Sequence, residues 1–214
     1  MNLIFDVDGT LWDTTGVVAR GWQKAVDITG LSRAVMDKDV LKGEFGKTMD
    51  VIARNVFPDV KDKKDIDILT EHCNIYEEKE LDSMDEEETR SIVYEGVIDT
   101  LEALSKSHSL FIVSNCQQGY IEMFMKKTGT GSFIKDHLCY GDTGTQKAET
   151  ILTLMDRNGI SKEDTFYIGD TAGDFDSTRK AGLRFVYASY GFGEVAEPDL
   201  RISSFKELTE LFPA

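Results

Sequence analysis

The sequence predicts an α/β fold: a mostly parallel sheet between helices, with a small all-helical block inserted after the first strand. Three observations carry this. Met1 to Phe5 is a short apolar run that breaks off at Asp6-Val7-Asp8-Gly9-Thr10, as a buried strand does on entering a loop. Between residues 14 and 91, apolar residues recur at helical spacing and no strand pattern occurs. From residue 92 onward, short apolar runs alternate with helical periods. That is the rhythm of parallel strands joined by crossover helices and covered on both faces.

Taken in order, Val18, Trp22 and Ala25 mark a helix after the first strand. Met49, Ile52, Ala53, Val56 and Phe57 mark another, stopped by Pro58, and Ile66, Leu69, Cys73 and Tyr76 a third. Residues 77–90 are mostly charged and predict a solvated helix face or a connector. Ile98, Leu101 and Leu104 suit a helix. Ser109 to Val113 is a buried strand ending at Ser114-Asn115, and Ile121, Phe124 and Met125 suit the next helix. A short strand lies within Phe133 to Cys139. A loop from Gly141 to Gln146 leads to Lys147, which opens a helix carrying Ala148, Ile151, Leu152 and Met155 and ended by Asn158-Gly159. Thr165 to Ile168 is a strand ending at Gly169-Asp170. A helix through Phe175 and Ala181 stops at Gly182, and Arg184 to Tyr187 is a further strand. Leu200 to Ile202 is a last short strand, and Phe205 to Leu211 a terminal helix.

At 214 residues the chain is long enough for one sizeable core plus a smaller insert. The net charge of −15, with no Lys/Arg cluster, argues against nucleic acid, whose binding rests on neutralised phosphates. No apolar stretch approaches the length of a membrane span, and the first residues enter the strand without a basic leader. Cys73, Cys116 and Cys139 are widely spaced and form neither a disulfide framework nor a zinc pattern. These features predict a reducing, cytoplasmic setting with no membrane partner. Monomer and homodimer are equally compatible with the sequence.

The first strands of the core each end in polar residues. Asp6 and Asp8 fall at the carboxyl edge of the first, where open α/β sheets place ligands. Two carboxylates two residues apart repel each other and ask for a cation or a shared proton. A calcium loop is excluded, because the positions that need Gly and Glu hold Leu11 and Val17. On this pentapeptide alone, an acidic turn and a nucleophilic Asp beside an acid–base Asp both stand. Further on come Ser114 and Asn115, then Lys147, then Gly169-Asp170-Thr171-Ala172-Gly173-Asp174. Singly, these read as a turn residue, a helix start and an Asx-turn with a cap. Together, on parallel strands, they converge on one sheet edge as four carboxylates, a hydroxyl, an ammonium and backbone N–H groups. That inventory suits a phosphoryl group beside Mg²⁺. Lys147 at a helix start opposes the helix dipole, which points to an anionic partner. The run from Gly141 to Lys147 does not match the nucleotide phosphate loop.

This ordered set resembles the four motifs of the haloacid dehalogenase-like superfamily of phosphohydrolases. Asp6-Val7-Asp8-Gly9-Thr10 matches the first, Ser114 the second, Lys147 the third and Gly169-Asp170 with Asp174 the fourth. The resemblance implies a Rossmann-like core of residues 1–14 and 92–214 and a helical cap of residues 15–91. The cap and the run Gly43-Glu44-Phe45-Gly46-Lys47-Thr48 resemble phosphoglycolate phosphatase and its relatives. Two departures are Ala148, where many relatives have Pro, and Glu95-Gly96, where Pro-Gly is frequent.

The resemblance implies a Mg²⁺-dependent phosphatase acting on a small phosphorylated metabolite, with 2-phosphoglycolate a candidate. Asp6 is then the nucleophile that forms an aspartyl-phosphate, and Asp8 the acid and later the base. Asp6, the backbone carbonyl of Asp8 and Asp170 hold the metal, with Asp174 orienting them. Ser114, Asn115 and Lys147 bind the phosphoryl group. In the cap, Arg20 and Lys47 are candidates to meet an anionic substrate tail, and Cys116 reads as a packed thiol. The same residues would serve a sugar-phosphate mutase resembling β-phosphoglucomutase. A non-catalytic phosphoacceptor or binding module is the alternative from another class. The helical insert and the Asp6/Asp8 spacing speak against it.

Overall fold

The computed structural model describes residues 1–213. Its centre is a six-stranded sheet of β1 (Asn2–Phe5), β2 (Ser109–Ser114), β3 (Ile134–Cys139), β4 (Thr165–Gly169), β5 (Arg184–Ala188) and β6 (Leu200–Ile202). The strands are parallel throughout, in the order β3-β2-β1-β4-β5-β6. This is the Rossmann-like order, with β1 at the point where the chain turns back across the sheet.

The short strands are apolar on both sides because both faces are covered. Leu3 and Phe5 point into one apolar layer with Leu110, Ile112, Phe166 and Ile168. Ile4, one residue out of phase, points into the other with Phe111, Val113 and Tyr167. The first layer is closed by α6 (Val97–Ser105) and α7 (Tyr120–Thr128), the second by α9 (Lys147–Asn158) and α10 (Ala172–Ala181).

Between β1 and α6 lie α1 (Thr15–Thr29), α2 (Lys38–Lys42), α3 (Met49–Val56), α4 (Lys63–Ser83) and α5 (Glu86–Ile92). The helical block has an apolar cluster of its own, which includes Trp22, Leu41, Ile52, Phe57 and Leu69. The chain leaves and re-enters the sheet layer through two adjacent segments. There the Asp13 N–H donates to the Ile92 carbonyl (2.7 Å) and the Tyr94 N–H to the Leu11 carbonyl (3.1 Å). The block is seated on the sheet edge by Phe45 against Phe192, with ring centroids 6.0 Å apart. Asn115 Nδ2 adds a hydrogen bond to the Gly46 carbonyl (2.7 Å). Among the described residues no helix is long and apolar enough to cross a membrane.

Several local expectations are corrected. The charged stretch 77–90 is not simply a solvated face: α4 runs on to Ser83, and Glu77 turns inward to accept a hydrogen bond from the Trp22 indole (2.8 Å). The run from Gly141 to Gln146 is not all loop, since α8 (Tyr140–Thr143) forms a helical turn across its start. Leu152, placed on an apolar stripe, is exposed. The terminal helix divides into a 3-10 turn (Phe205–Glu207) and α11 (Leu208–Leu211). Helix α2 has no clear apolar period in sequence; the Asp37 side chain starts it by accepting from the Asp39 and Val40 N–H groups.

Helices α1 and α4 approach backbone to backbone at Gly21. A Cβ there would lie 2.8 Å from the Tyr76 carbonyl and 2.9 Å from the Glu77 nitrogen. In a Gly21→Ala variant the overpacking, about 1–3 kcal/mol, outweighs the gain of roughly 1 kcal/mol in helix propensity. The expected result is a lower midpoint of urea unfolding; a midpoint equal to or above wild type would show that the two helices can separate without cost.

Candidate active site

The site is built at the carboxyl ends of β1, β2 and β4. β1 and β4 are neighbours in register, Phe5 beside Ile168. The next residues out of the sheet, Asp6 on one strand and Asp170 beyond the other, therefore emerge side by side. One turn later Asp174 sits in the first turn of α10, where an acidic side chain suits the helix dipole. Ligand oxygens of Asp6, Asp170 and Asp174 all lie within 4.8 Å of one another, and all three residues are buried.

Lys147 ties this cluster together. Its ammonium lies 3.1 Å from Asp6 Oδ1 and 2.5 Å from Asp174 Oδ1. The anionic partner expected from its place at a helix start is thus a pair of carboxylates. Burial favours the neutral amine, but Asp174 and Asp6 outweigh it and hold the Lys147 pKa well above its ordinary value. The other oxygen of Asp174 accepts from the Thr171 backbone N–H (3.0 Å) and hydroxyl (2.6 Å). Asp170 Oδ2 accepts from the Phe192 N–H (2.7 Å).

Two glycines make room for Asp170. Gly9 has φ +79°, and a Cβ there would fall 2.0 Å from Asp170 Oδ2. A Cβ on Gly191 would fall 2.3 Å from the Asp170 Cβ. Both positions bring backbone against the carboxylate in a way that only glycine allows.

Charge here is unbalanced. Burial, then Asp174, raises the Asp6 pKa to about 6 despite Lys147. Burial, then Asp174 and Asp6, raises Asp170 well above the usual carboxylate range. Three buried carboxylates face one ammonium, and the donor set is oxygen only. That chemistry fits a hard divalent cation such as Mg²⁺.

Asp8 sits across from this cluster, half-buried, and has a different environment. Its Oδ1 receives hydrogen bonds from the Tyr120 hydroxyl (2.7 Å) and the Thr14 hydroxyl (2.9 Å). Burial, with a smaller push from Asp6, lifts its pKa to about 7, against the pull of Tyr120. Desolvation therefore accounts for most of the elevation.

A cleft opens between the sheet edge and the helical block, lined by Asp6, Asp8, Ser114 and Asn115 on one side and Trp22, Lys47 and Glu77 on the other. Ser114 is buried at the end of β2. Asn115 has its amide committed to Gly46, so it also joins the two sides of the cleft. Lys47 reaches the cleft, but its ammonium rests on Glu44 Oε2 (2.8 Å). Arg20 does not line the cleft; its guanidinium is half-exposed and spent on Glu80 (3.2 Å) and Glu88 (2.6 Å). The Cys116 thiol is buried at the cleft wall and held well above its usual pKa by burial and by Cys139.

Sequence reasoning missed Tyr120, Thr14, Glu77, Trp22 and Gly191. Tyr120 and Trp22 carry ordinary apolar positions on helices, and Glu77 was hidden in an acidic run. Only the Gly191-Phe192-Gly193 spacing after β5 was a usable signal, since paired glycines mark a close backbone approach.

The model of the haloacid dehalogenase-like hydrolase family matches residues 3–188. The phosphoglycolate phosphatase of Pseudomonas putida is 25% identical over 96% of this chain and 77% of its own length. That of Agrobacterium fabrum is 27% identical over 96% of this chain and 89% of its own length. Among solved structures, a predicted phosphoglycolate phosphatase from Haemophilus somnus superposes with a TM-score of 0.84 at 17% identity, covering 98% of this chain and 96% of that one. CbbY from Rhodobacter sphaeroides, in complex with phosphate, gives 0.79 at 17% identity, covering 97% and 95%. At such identities the structural likeness is one of fold. The family match spans nearly the whole chain and includes all four strand-end motifs, so this chain belongs to the haloacid dehalogenase-like hydrolase family.

Proposed function

We propose that the chain is a Mg²⁺-dependent phosphatase that hydrolyses a small phosphomonoester through an aspartyl-phosphate. The observation that carries this reading is the buried cluster of Asp6, Asp170 and Asp174, with the Lys147 ammonium 3.1 Å from Asp6, which lines the cleft. A carboxylate beside an ammonium and a cation is a positioned, ionised nucleophile that needs no base to activate it. The relatives' names make 2-phosphoglycolate the first ester to assay.

Asp6 and Asp170, with the backbone carbonyl of Asp8, would hold the metal. Asp174, its oxygens engaged by Lys147 and Thr171, would hold Lys147 and the cluster in place. When bound, Mg²⁺ supplies Lewis-acid polarisation and offsets the repulsion between a carboxylate and a phosphate dianion.

Asp6 attacks phosphorus in line, and its oxygen–phosphorus bond forms as the bond to the leaving oxygen breaks. Asp8 gives its proton to that oxygen. It then accepts a proton from the water that cleaves the aspartyl-phosphate and restores Asp6. Lys147, the Ser114 hydroxyl and backbone N–H groups near Asn115 and Val7 stabilise the charged phosphoryl oxygens in the transition state. The helical block excludes water from the cleft while this occurs.

Phosphate release from a panel of monoesters tests the reading. Asp6→Asn should lower turnover by on the order of 10⁴-fold or more; retained turnover would exclude Asp6 as nucleophile. Removing divalent metal with a chelator should abolish release, and added Mg²⁺ should restore it. Phosphate release that survives chelation would remove the metal from the mechanism.

The pH profile carries a separate expectation. Asp8 must be protonated to act as acid, and its pKa stands near 7, so kcat/KM falls as pH rises through that value. The Tyr120 hydrogen bond favours the ionised form. Tyr120→Phe therefore raises the Asp8 pKa and moves the alkaline limb to higher pH. A limb that stays in place would dissociate Asp8 from leaving-group protonation.

A further inference from the structure

The wall of the cleft opposite the carboxylate cluster belongs to the helical block, and its chemistry is specific. Trp22, Phe45, Met49 and Ile52 give it an apolar lining. Into this lining one carboxylate projects, that of Glu77. Its Oε2 accepts the Trp22 indole N–H (2.8 Å), while Oε1 takes no hydrogen bond from any described residue. The indole fixes the orientation of the group, because α1 and α4 meet backbone to backbone at Gly21, next to Trp22 and against the Glu77 nitrogen. Burial raises the Glu77 pKa to about 7, and Asp8 adds to the rise. Oε1 is not among the buried polar atoms left without a partner, so it stays open to a donor that enters the cleft.

Among the described residues that line the cleft, the cation on this wall is Lys47, and its ammonium already rests on Glu44 Oε2 (2.8 Å) and the Gly43 carbonyl (3.2 Å). Glu44 Oε2 also takes the Asn55 amide (2.7 Å). Arg20 is engaged by Glu80 and Glu88 outside the cleft. An anionic leaving group would therefore face Glu77 and Asp8 with no uncommitted cation beside it. A leaving group that carries a hydroxyl or an ammonium would donate to Glu77 Oε1 in place of solvent and rest its carbon skeleton on Trp22 and Ile52.

We propose that Glu77, oriented by Trp22, selects the leaving group: the preferred substrate is the phosphate ester of a small alcohol that carries a further hydroxyl or ammonium group and no second anionic group. This rests on the phosphatase reading above and makes 2-phosphoglycolate, with its carboxylate, a poor substrate.

The test compares glycerol 3-phosphate and ethanolamine phosphate with 2-phosphoglycolate at about pH 8, where most of Glu77 is ionised. Wild type should favour the first two in kcat/KM, and Glu77→Gln should lower that preference about ten-fold, mostly through KM, because a neutral amide replaces a charge-assisted hydrogen bond. Trp22→Phe, which keeps the carboxylate but frees its orientation, should shift the preference in the same direction and serves if the glutamine variant is unstable. Preference for 2-phosphoglycolate in wild type, or an unchanged ratio in both variants, overturns the proposal.

Calorimetric titration of the same three esters into the Asp6→Asn protein with Mg²⁺ reads the preference without turnover. Tighter binding of glycerol 3-phosphate or ethanolamine phosphate, lost when Glu77→Gln is added, supports the proposal; tighter binding of 2-phosphoglycolate, or no measurable binding of any of the three, overturns it. Absence of turnover by wild type on every ester sinks the phosphatase reading, and the titration then decides the role of Glu77 independently.

Discussion

The interaction on which the rest of the structure depends is the Lys147 ammonium held between Asp6 and Asp174. Each group is buried, and a buried charge without a partner is strongly destabilising. The fold supplies partners from four separate elements: β1, the loop after β4, the start of α9 and the first turn of α10. The hydroxyl and N–H of Thr171, the N–H of Phe192 and the bare backbones of Gly9 and Gly191 complete the setting. Even so, negative charge remains in excess: burial first, and then the neighbouring carboxylates, raise the Asp6 and Asp170 pKa values. The protein is arranged to welcome further positive charge at this point. A structural core would gain nothing from such an excess.

Asp6 and Asp8 illustrate how two identical side chains two residues apart acquire different environments. The chain direction at a strand end sends Asp6 toward Lys147 and Asp8 toward Tyr120 and Thr14. One carboxylate is paired with an ammonium; the other is desolvated and meets neutral donors, the Tyr120 and Thr14 hydroxyls. Neutral donors offset burial less than a full charge does, so the two groups are raised from the same ordinary value for different reasons.

The helical block contributes chemistry of another kind. It meets the reacting end through contacts that include the Asn115 bond to Gly46, the Phe45 contact with Phe192 and Lys42 over the Phe192 ring, and it leaves and rejoins the sheet layer through paired segments around Asp13 and Ile92. Its inner face, with Trp22 and Glu77, sits where a leaving group would lie. Family membership speaks for the strand-end motifs but not for this face, where helices packed by apolar side chains can differ without disturbing the sheet.

Much of this protein could be read from the chain alone. Short apolar runs broken off by polar residues or glycine located the strands, because a strand covered on both faces is written as a nearly continuous apolar run. Asp6, Asp8, Ser114, Lys147, Asp170 and Asp174 were visible for the same reason: in a parallel sheet every strand end faces the same way, so sequence order alone brings them to one edge. The tertiary structure decided which partner each group meets. Glu77 looked like one more acid on a solvated helix until the α1–α4 crossing turned it onto Trp22, and Arg20 looked free until Glu80 and Glu88 claimed it. Strand ends are fixed by local pattern; side-chain partners depend on the angle and register at which distant helices pack, and no local pattern encodes those.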